Sequence, residues 1–159
     1  MGITKTNAMR LLENAGVPFK TAVYDVSSGH EPAEAVAEKL QAEPETVFKT
    51  LVAQEEGGQV FVFCLPSGFE LDLKKAAAAA AVKKLNLINL RDLQPLTGYT
   101  RGGCSPLAMK KQYPTFIDET AQLHDAVYVN GGVRGLQVLV EPNALASAAQ
   151  ASFADVIKV

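Results

Sequence analysis

The chain has 159 residues, a length suited to one domain whose core needs neither a metal nor a disulfide to hold it. Its 48% hydrophobic and 20% charged residues fit a globular protein, and a formal net charge of −2 excludes a surface covered in nucleic-acid-binding charge while leaving room for a local basic patch. Two cysteines in unlike settings exclude a disulfide framework or a spaced metal pattern; Met1 to Thr6 lacks a signal-peptide run, and no stretch approaches the roughly 18 apolar residues of a membrane span, so a cytoplasmic protein is expected.

Ala8, Leu11, Leu12 and Ala15 recur at helical spacing, which predicts a helix over Thr4 to Ala15 with Thr4 as N-cap and Gly16 as its stop. Phe19 to Val26 reads as extended, and Ser27-Ser28-Gly29-His30 as a turn. A second helix follows, with Pro32 in its first turn and Ala33, Val36, Ala37 and Leu40 as one apolar stripe. After Pro44, Val47 to Ala53 and Val60 to Leu65 read as two strands joined through Glu55-Glu56-Gly57-Gly58, a hairpin. The second strand is apolar on both faces, so it belongs inside a sheet covered on each side. Asp72 is placed to cap a helix that runs through the alanines Ala76 to Ala81 and ends near Lys83 and Lys84, whose charges suit a helix C-terminus. A short turn is expected around Asn89 to Leu93. Thr115 to Ile117, Ala126 to Val129 and Leu136 to Val140 read as strands, the last two joined through the loop Asn130 to Gly135, and a final helix starts near Pro142. Mixed helices and strands with hairpins favour an α+β fold with a mixed, largely antiparallel sheet, in a single domain over residues 1–159.

Two features stand out chemically. Lys49 shares a strand face with Val47, Leu51 and Ala53, so an ammonium points where its neighbours imply burial. It either snorkels from a sheet edge to water or stands at a pocket wall to meet a phosphate or carboxylate. Gly102-Gly103-Cys104-Ser105-Pro106 suits neither helix nor strand. It is either a structural turn or a set of backbone donors for a carbonyl oxygen or oxyanion. Neither a phosphate-loop ending nor a dinucleotide glycine spacing is present. Cys104 would need a base and a lowered pKa to act as nucleophile, and His30 and His124 sit in no thiol-hydrolase or zinc motif, so no metal is expected. Arg101, Lys110, Lys111 and Arg134 flank the two glycine loops, as a solvated surface or as a basic rim for a nucleic-acid end.

Lys5 to Arg10, Val47-Phe48-Lys49-Thr50-Leu51, Leu71-Asp72-Leu73-Lys74, Thr97-Gly98-Tyr99, Gly102 to Pro106, Tyr113 to Asp118 and Arg134-Gly135-Leu136 together resemble, in order and across nearly the whole chain, the YbaK/EbsC family. Its members are free-standing relatives of the editing domain of bacterial prolyl-tRNA synthetase. The resemblance implies a curved, partly barrel-like sheet flanked by helices and a trans-acting deacylase, without a cofactor, that releases cysteine from mischarged proline tRNA. It implies the aminoacyl-tRNA 3′ end as substrate; the acidic overall balance then predicts weak tRNA affinity and recruitment through prolyl-tRNA synthetase, or a ternary complex with tRNA, and no membrane is expected. Lys49, Gly102 and Gly103 fall on the family's catalytic positions, the glycine amides facing the ester carbonyl. Tyr24, Thr50, Cys104, Ser105, Pro106, Asn130, Arg134 and Gln137 are the implied substrate-binding residues. Gln137 stands where many relatives carry an aspartate, and Asn130 where a serine is found; a neutral amide at residue 137 donates and accepts hydrogen bonds but is no general base. The implied chemistry needs none, because a cysteinyl ester carries its own thiol nucleophile. Release of another residue such as alanine by water, and a non-catalytic module that binds tRNA ends, are the alternatives.

Overall fold

The computed structural model describes residues 4–26 and 33–159. α1 (Asn7–Asn14) begins where the Thr6 hydroxyl accepts the Met9 N–H at 3.1 Å, so Thr6 rather than Thr4 is the N-cap: a cap must reach an N–H in the first turn, and Thr4 lies too far back. β1 (Lys20–Val23) is the ordered centre of the expected extended stretch. The turn read at Ser27 to His30, and Pro32, lie outside the described residues. α2 (Ala33–Leu40) buries Val36 and Ala37 with Val47, and a single 3-10 turn over Pro44–Thr46 leads into β2 (Phe48–Glu55).

β2 and β3 (Val60–Pro66) form the expected hairpin, and β3 is buried at every position. Its two apolar faces serve two clusters: Phe61, Phe63 and Leu65 pack with Ala76 and Ala77 on one side, while Val60 and Val62 pack with Cys104 on the other. α3 (Leu73–Ala80) is capped by Asp72, which accepts the N–H groups of Lys74 and Lys75 at 3.0 Å each. The Lys75 N–H is the chief reason the Asp72 carboxyl is held below its ordinary pKa. The helix stops at Ala81, whose φ is +58°, and the Val82 N–H returns to the Ala77 carbonyl at 3.0 Å. Lys83 and Lys84 therefore lie beyond the helix, and backbone N–H groups instead of ammonium groups close its last turn.

Where a turn was expected the chain forms β4 (Leu85–Leu87) and α4 (Leu90–Thr97). Pro95 sits inside α4, and in so short a helix its missing N–H forfeits only one backbone bond. β5 (Thr115–Asp118), β6 (Val127–Asn130) and β7 (Leu136–Val140) match the expected strands, and α5 (Pro142–Ala149) follows Pro142 as read. β8 (Ala151–Ala154) was not foreseen; it pairs in parallel with β5.

The strands form a three-stranded sheet ordered β1-β7-β6 and a five-stranded sheet ordered β4-β2-β3-β5-β8. Antiparallel pairing dominates, with β3-β5 and β5-β8 parallel. An isolated bridge between Val47 and Tyr128 joins the sheets, so they curl around a shared core without closing a barrel. Leu12, Val127, Val129, Val138 and Leu145 fill that core. No helix among the described residues is long and apolar enough to cross a membrane.

Candidate active site

The outer edge of β2 places the site. Ser67 N–H donates to the Val47 carbonyl at 2.8 Å and Glu55 N–H to the Gln59 carbonyl at 2.9 Å, so the odd-numbered residues of β2 direct their backbone groups at β3. The even-numbered ones face the other way, as the Ile88 N–H donating to the Val52 carbonyl at 3.1 Å shows. On that outer edge β6 is bridged only at Val47, and β4 is registered only against Ala53 to Glu55. Between these neighbours the sheet splits, and a cavity of about 380 Å³ opens along Val47 to Val52. That volume is in the range of small-molecule sites.

Lys49 lines this cavity half-buried, and its Nζ donates to the Ser67 carbonyl at 3.2 Å. The lysine is thus at a pocket wall, tethered and with further N–H donors to offer. Tyr24, Thr50, Gly102, Cys104, Asn130 and Gln137 line the same space, which brings together seven of the sequence-read residues from β2, the glycine loop, β6, β7 and the stretch after β1. Asn130 organises the loop side. Its Nδ2 donates to the carbonyls of Gly102 at 2.9 Å and Val133 at 3.2 Å, and its Oδ1 accepts the Gly132 N–H at 2.6 Å.

Four of the sequence-read residues do not line the cavity. Gly103 N–H donates to the Thr100 carbonyl at 2.9 Å, so this amide is engaged inside the turn and is not turned toward a ligand carbonyl. Gly103 is required for another reason: a Cβ there would stand 3.0 Å from the Arg134 nitrogen and 3.1 Å from the Val133 Cα, so only glycine lets the two loops touch. Gly102 is the glycine at the cavity, with φ +83° and Arg134 Cγ 3.0 Å from where its Cβ would stand. Ser105 is buried and its Oγ accepts the Leu107 N–H at 3.1 Å; Pro106 is buried beside it. Tyr99 donates its hydroxyl to the Leu107 carbonyl and clamps the same segment. Arg134 lies on the outer side of Gly102, exposed, toward a separate shallow groove with Thr6 and Tyr99.

Burial pushes the Cys104 thiol up to about 12, with Cys64 adding to the effect, so the residue is a wall of the cavity and not a ready thiolate. His124 is not among the lining residues, and His30 is outside the described ones. The described lining residues include no histidine, aspartate or glutamate. Two polar atoms at the site are buried without a hydrogen-bond partner among the described residues, Ser67 Oγ and Gln137 Oε1. Ser67 was missed from sequence because a Ser-Gly pair after a strand looks like any turn, and the Lys49 contact that singles it out spans the hairpin. Arg101, read only as a rim charge, lies at the mouth, and Leu87, Ile88 and Leu90 form an apolar lip that no local pattern announced. The site offers an ammonium, the Gly102 backbone, neutral acceptors and an apolar wall. It can bind, orient and polarise an ester, and its described lining has no carboxylate or imidazole to activate a hydroxyl or thiol for attack.

Residues 28–148 match the model of the aminoacyl-tRNA editing domain family. The chain is 45% identical over 152 residues, covering 96% of itself and 93% of its relative, to an Enterococcus faecalis protein provisionally named Cys-tRNA(Pro)/Cys-tRNA(Cys) deacylase EbsC. Its fold is similar to a crystal structure provisionally described as a trans-editing enzyme for prolyl-tRNA synthetase, with TM-score 0.83, 24% identity and coverage of 98% of this chain and 100% of that one. A hypothetical protein of solved structure matches with TM-score 0.86 at 22% identity, covering 96% of this chain and 100% of that one.

Proposed function

Because the chain belongs to the aminoacyl-tRNA editing domain family, we propose that it is a trans-editing deacylase that releases cysteine from mischarged Cys-tRNA(Pro), with Cys-tRNA(Cys) as a second ester. The observation that carries this reading is a cavity furnished for holding an ester whose described lining has no histidine, aspartate or glutamate to serve as base and whose thiol is pushed up to about 12. Such a site suits a substrate that brings its own nucleophile. The cysteinyl sulfur bonds to its own ester carbonyl carbon and the bond from that carbon to the ribose oxygen breaks. The thiol proton ends on the departing ribose hydroxyl, leaving a cyclic thiolactone and free tRNA. Catalysis then consists of fixing the reactive conformer and stabilising the oxyanion, with the Gly102 amide at the carbonyl and Lys49 holding the terminal nucleotide through its phosphate. Cys104 takes no covalent part.

The orphaned Gln137 Oε1 and Ser67 Oγ support a second reading, in which they orient a water that attacks an alanyl ester. A deacylation panel over cysteinyl, S-methylcysteinyl, alanyl and prolyl esters of proline tRNA separates the two. Substrate assistance requires release of the cysteinyl ester and a loss of about 100-fold or more when its sulfur is methylated. Equal release of both esters would sink it, and release of the alanyl ester alone would favour water. Retained tRNA binding without release of any ester would mark a binding module. With a net charge of −2 the chain has little charge of its own for phosphate contacts, so recruitment through prolyl-tRNA synthetase in a ternary complex belongs to this proposal. Affinity for tRNA that is unchanged by adding the synthetase would count against it.

A further inference from the structure

Six successive residues, Val47 to Val52, line the cavity, although side chains alternate between the faces of a strand. A cavity that touches all of them lies along the strand's edge and meets its backbone. On that edge the Val52 carbonyl is taken by Ile88 N–H and Val47 is bridged to Tyr128. Thr50 lies between, and by the alternation of β2 it directs one N–H and one C=O outward where no strand is registered against it. Backbone donors and acceptors are strong, fixed groups, and an adjacent pair left at a cavity wall is poised for a ligand with the inverse pattern.

Two further observations select that ligand. Beyond Thr50 the wall is the lip of Leu87, Ile88 and Leu90, with Leu87 50% and Leu90 56% exposed, which suits the face of a flat ring. The charges in the described lining, Lys49 and Arg101, are both cationic with no carboxylate among them, which disfavours seating an ammonium on the open edge. Adenine fits, with N6–H donating and N1 accepting on its Watson–Crick edge; cytosine carries the same pair, but the nucleotide that bears the ester is the terminal adenosine.

The geometry points to the main chain of Thr50 as the reader of the terminal adenine of the tRNA, its C=O accepting from N6–H and its N–H donating to N1, with the ring against Ile88 and Leu90. This rests on the reading that the tRNA 3′ end is the substrate. It also divides the labour of the cavity: the strand edge holds the base, Lys49 holds the phosphate of the same nucleotide, and the Gly102 loop serves the ester. Because the contact is main chain, no side chain at residue 50 encodes it.

The test uses acceptor-stem microhelices ending in adenosine, 7-deazaadenosine or inosine, each with an amide-linked cysteine that cannot be released, and measures equilibrium binding. Inosine inverts both groups, presenting a carbonyl to the Thr50 C=O and an N–H to its N–H, whereas 7-deazaadenosine keeps the Watson–Crick edge. The expected result is about tenfold or weaker binding of the inosine end, with the 7-deaza end within about twofold of adenosine. Leu90→Ala should weaken all three ends while keeping their ratio. Equal binding of the adenosine and inosine ends, or an equal loss with the 7-deaza end, overturns the assignment. Turnover of the matching esters separates this from the deacylase reading: discrimination without release leaves the base site standing and removes the deacylase, and release without discrimination does the reverse.

Discussion

β2 has two edges that differ in almost every respect. Its inner edge is paired with β3 from Phe48 to Gln54, and β3 behind it is buried on both faces, with Phe63 stacked on Phe116 at a centroid distance of 5.5 Å. Its outer edge is held only at its ends, by the Tyr128 bridge and by β4, and the gap between them is the cavity. A single strand thus carries the hydrophobic core on one side and, between its ends, no registered strand neighbour on the other. The comparison teaches that the ligand site is made by withholding a strand neighbour, and that the rigidity of the site comes from the edge that is fully paired.

This contrast can be broken from either side. Phe63→Ala removes a fully buried ring from the closed side and should cost about 3–5 kcal/mol in denaturant unfolding; a loss under about 1 kcal/mol would mean that the paired edge does not anchor the fold. On the open side, Lys49→Ala should reduce kcat/KM for ester release about 100-fold, or about 2.7 kcal/mol, with an unfolding midpoint close to that of the parent protein. A parallel fall in stability would make Lys49 a structural residue. Gly103→Ala acts between the two, because the added carbon meets the Arg134 nitrogen and Val133 Cα at 3.0 and 3.1 Å. It should destabilise by about 1–3 kcal/mol and lower turnover by displacing Gly102 and Asn130. Normal stability with lost turnover would return the Gly103 amide to the reaction. The smallest effect is expected at Cys104, where Cys104→Ala should lower turnover by less than about threefold. A thiol pushed up to about 12 should also resist alkylation at pH 8 until the protein unfolds, which mass spectrometry after iodoacetamide treatment would read.

Much of the scaffold was legible in the order of residues. The helices around Leu12, Val36, Ala76 and Leu145 and the hairpin at Gly57-Gly58 follow from short-range spacing and turn chemistry, and they lie where that chemistry put them. β4 and β8 were missed because a three-residue strand and the sequence Ala-Ser-Phe-Ala have too little pattern of their own, and α4 because Pro95 reads as a stop. At the site, Lys49 and the glycine loop were conspicuous because a charge on an apolar face and adjacent glycines break local rules. Their division of roles was not, since the Gly103 amide is claimed by Thr100 and the Gly102 carbonyl by Asn130, far along the chain.

The sequence by itself determined elements whose stabilising contacts are local: the Asp72 cap, the apolar helix stripes and the two-faced burial of Val60 to Leu65. Only the tertiary structure decided which edge of β2 stays open. That outcome depends on β5 joining β3, β6 bridging β2's edge only at Val47 and β4 pairing only from Ala53, contacts between residues far apart in the chain. Backbone N–H and C=O groups are the same in every residue type except proline, so no side-chain pattern records which of them will find a partner.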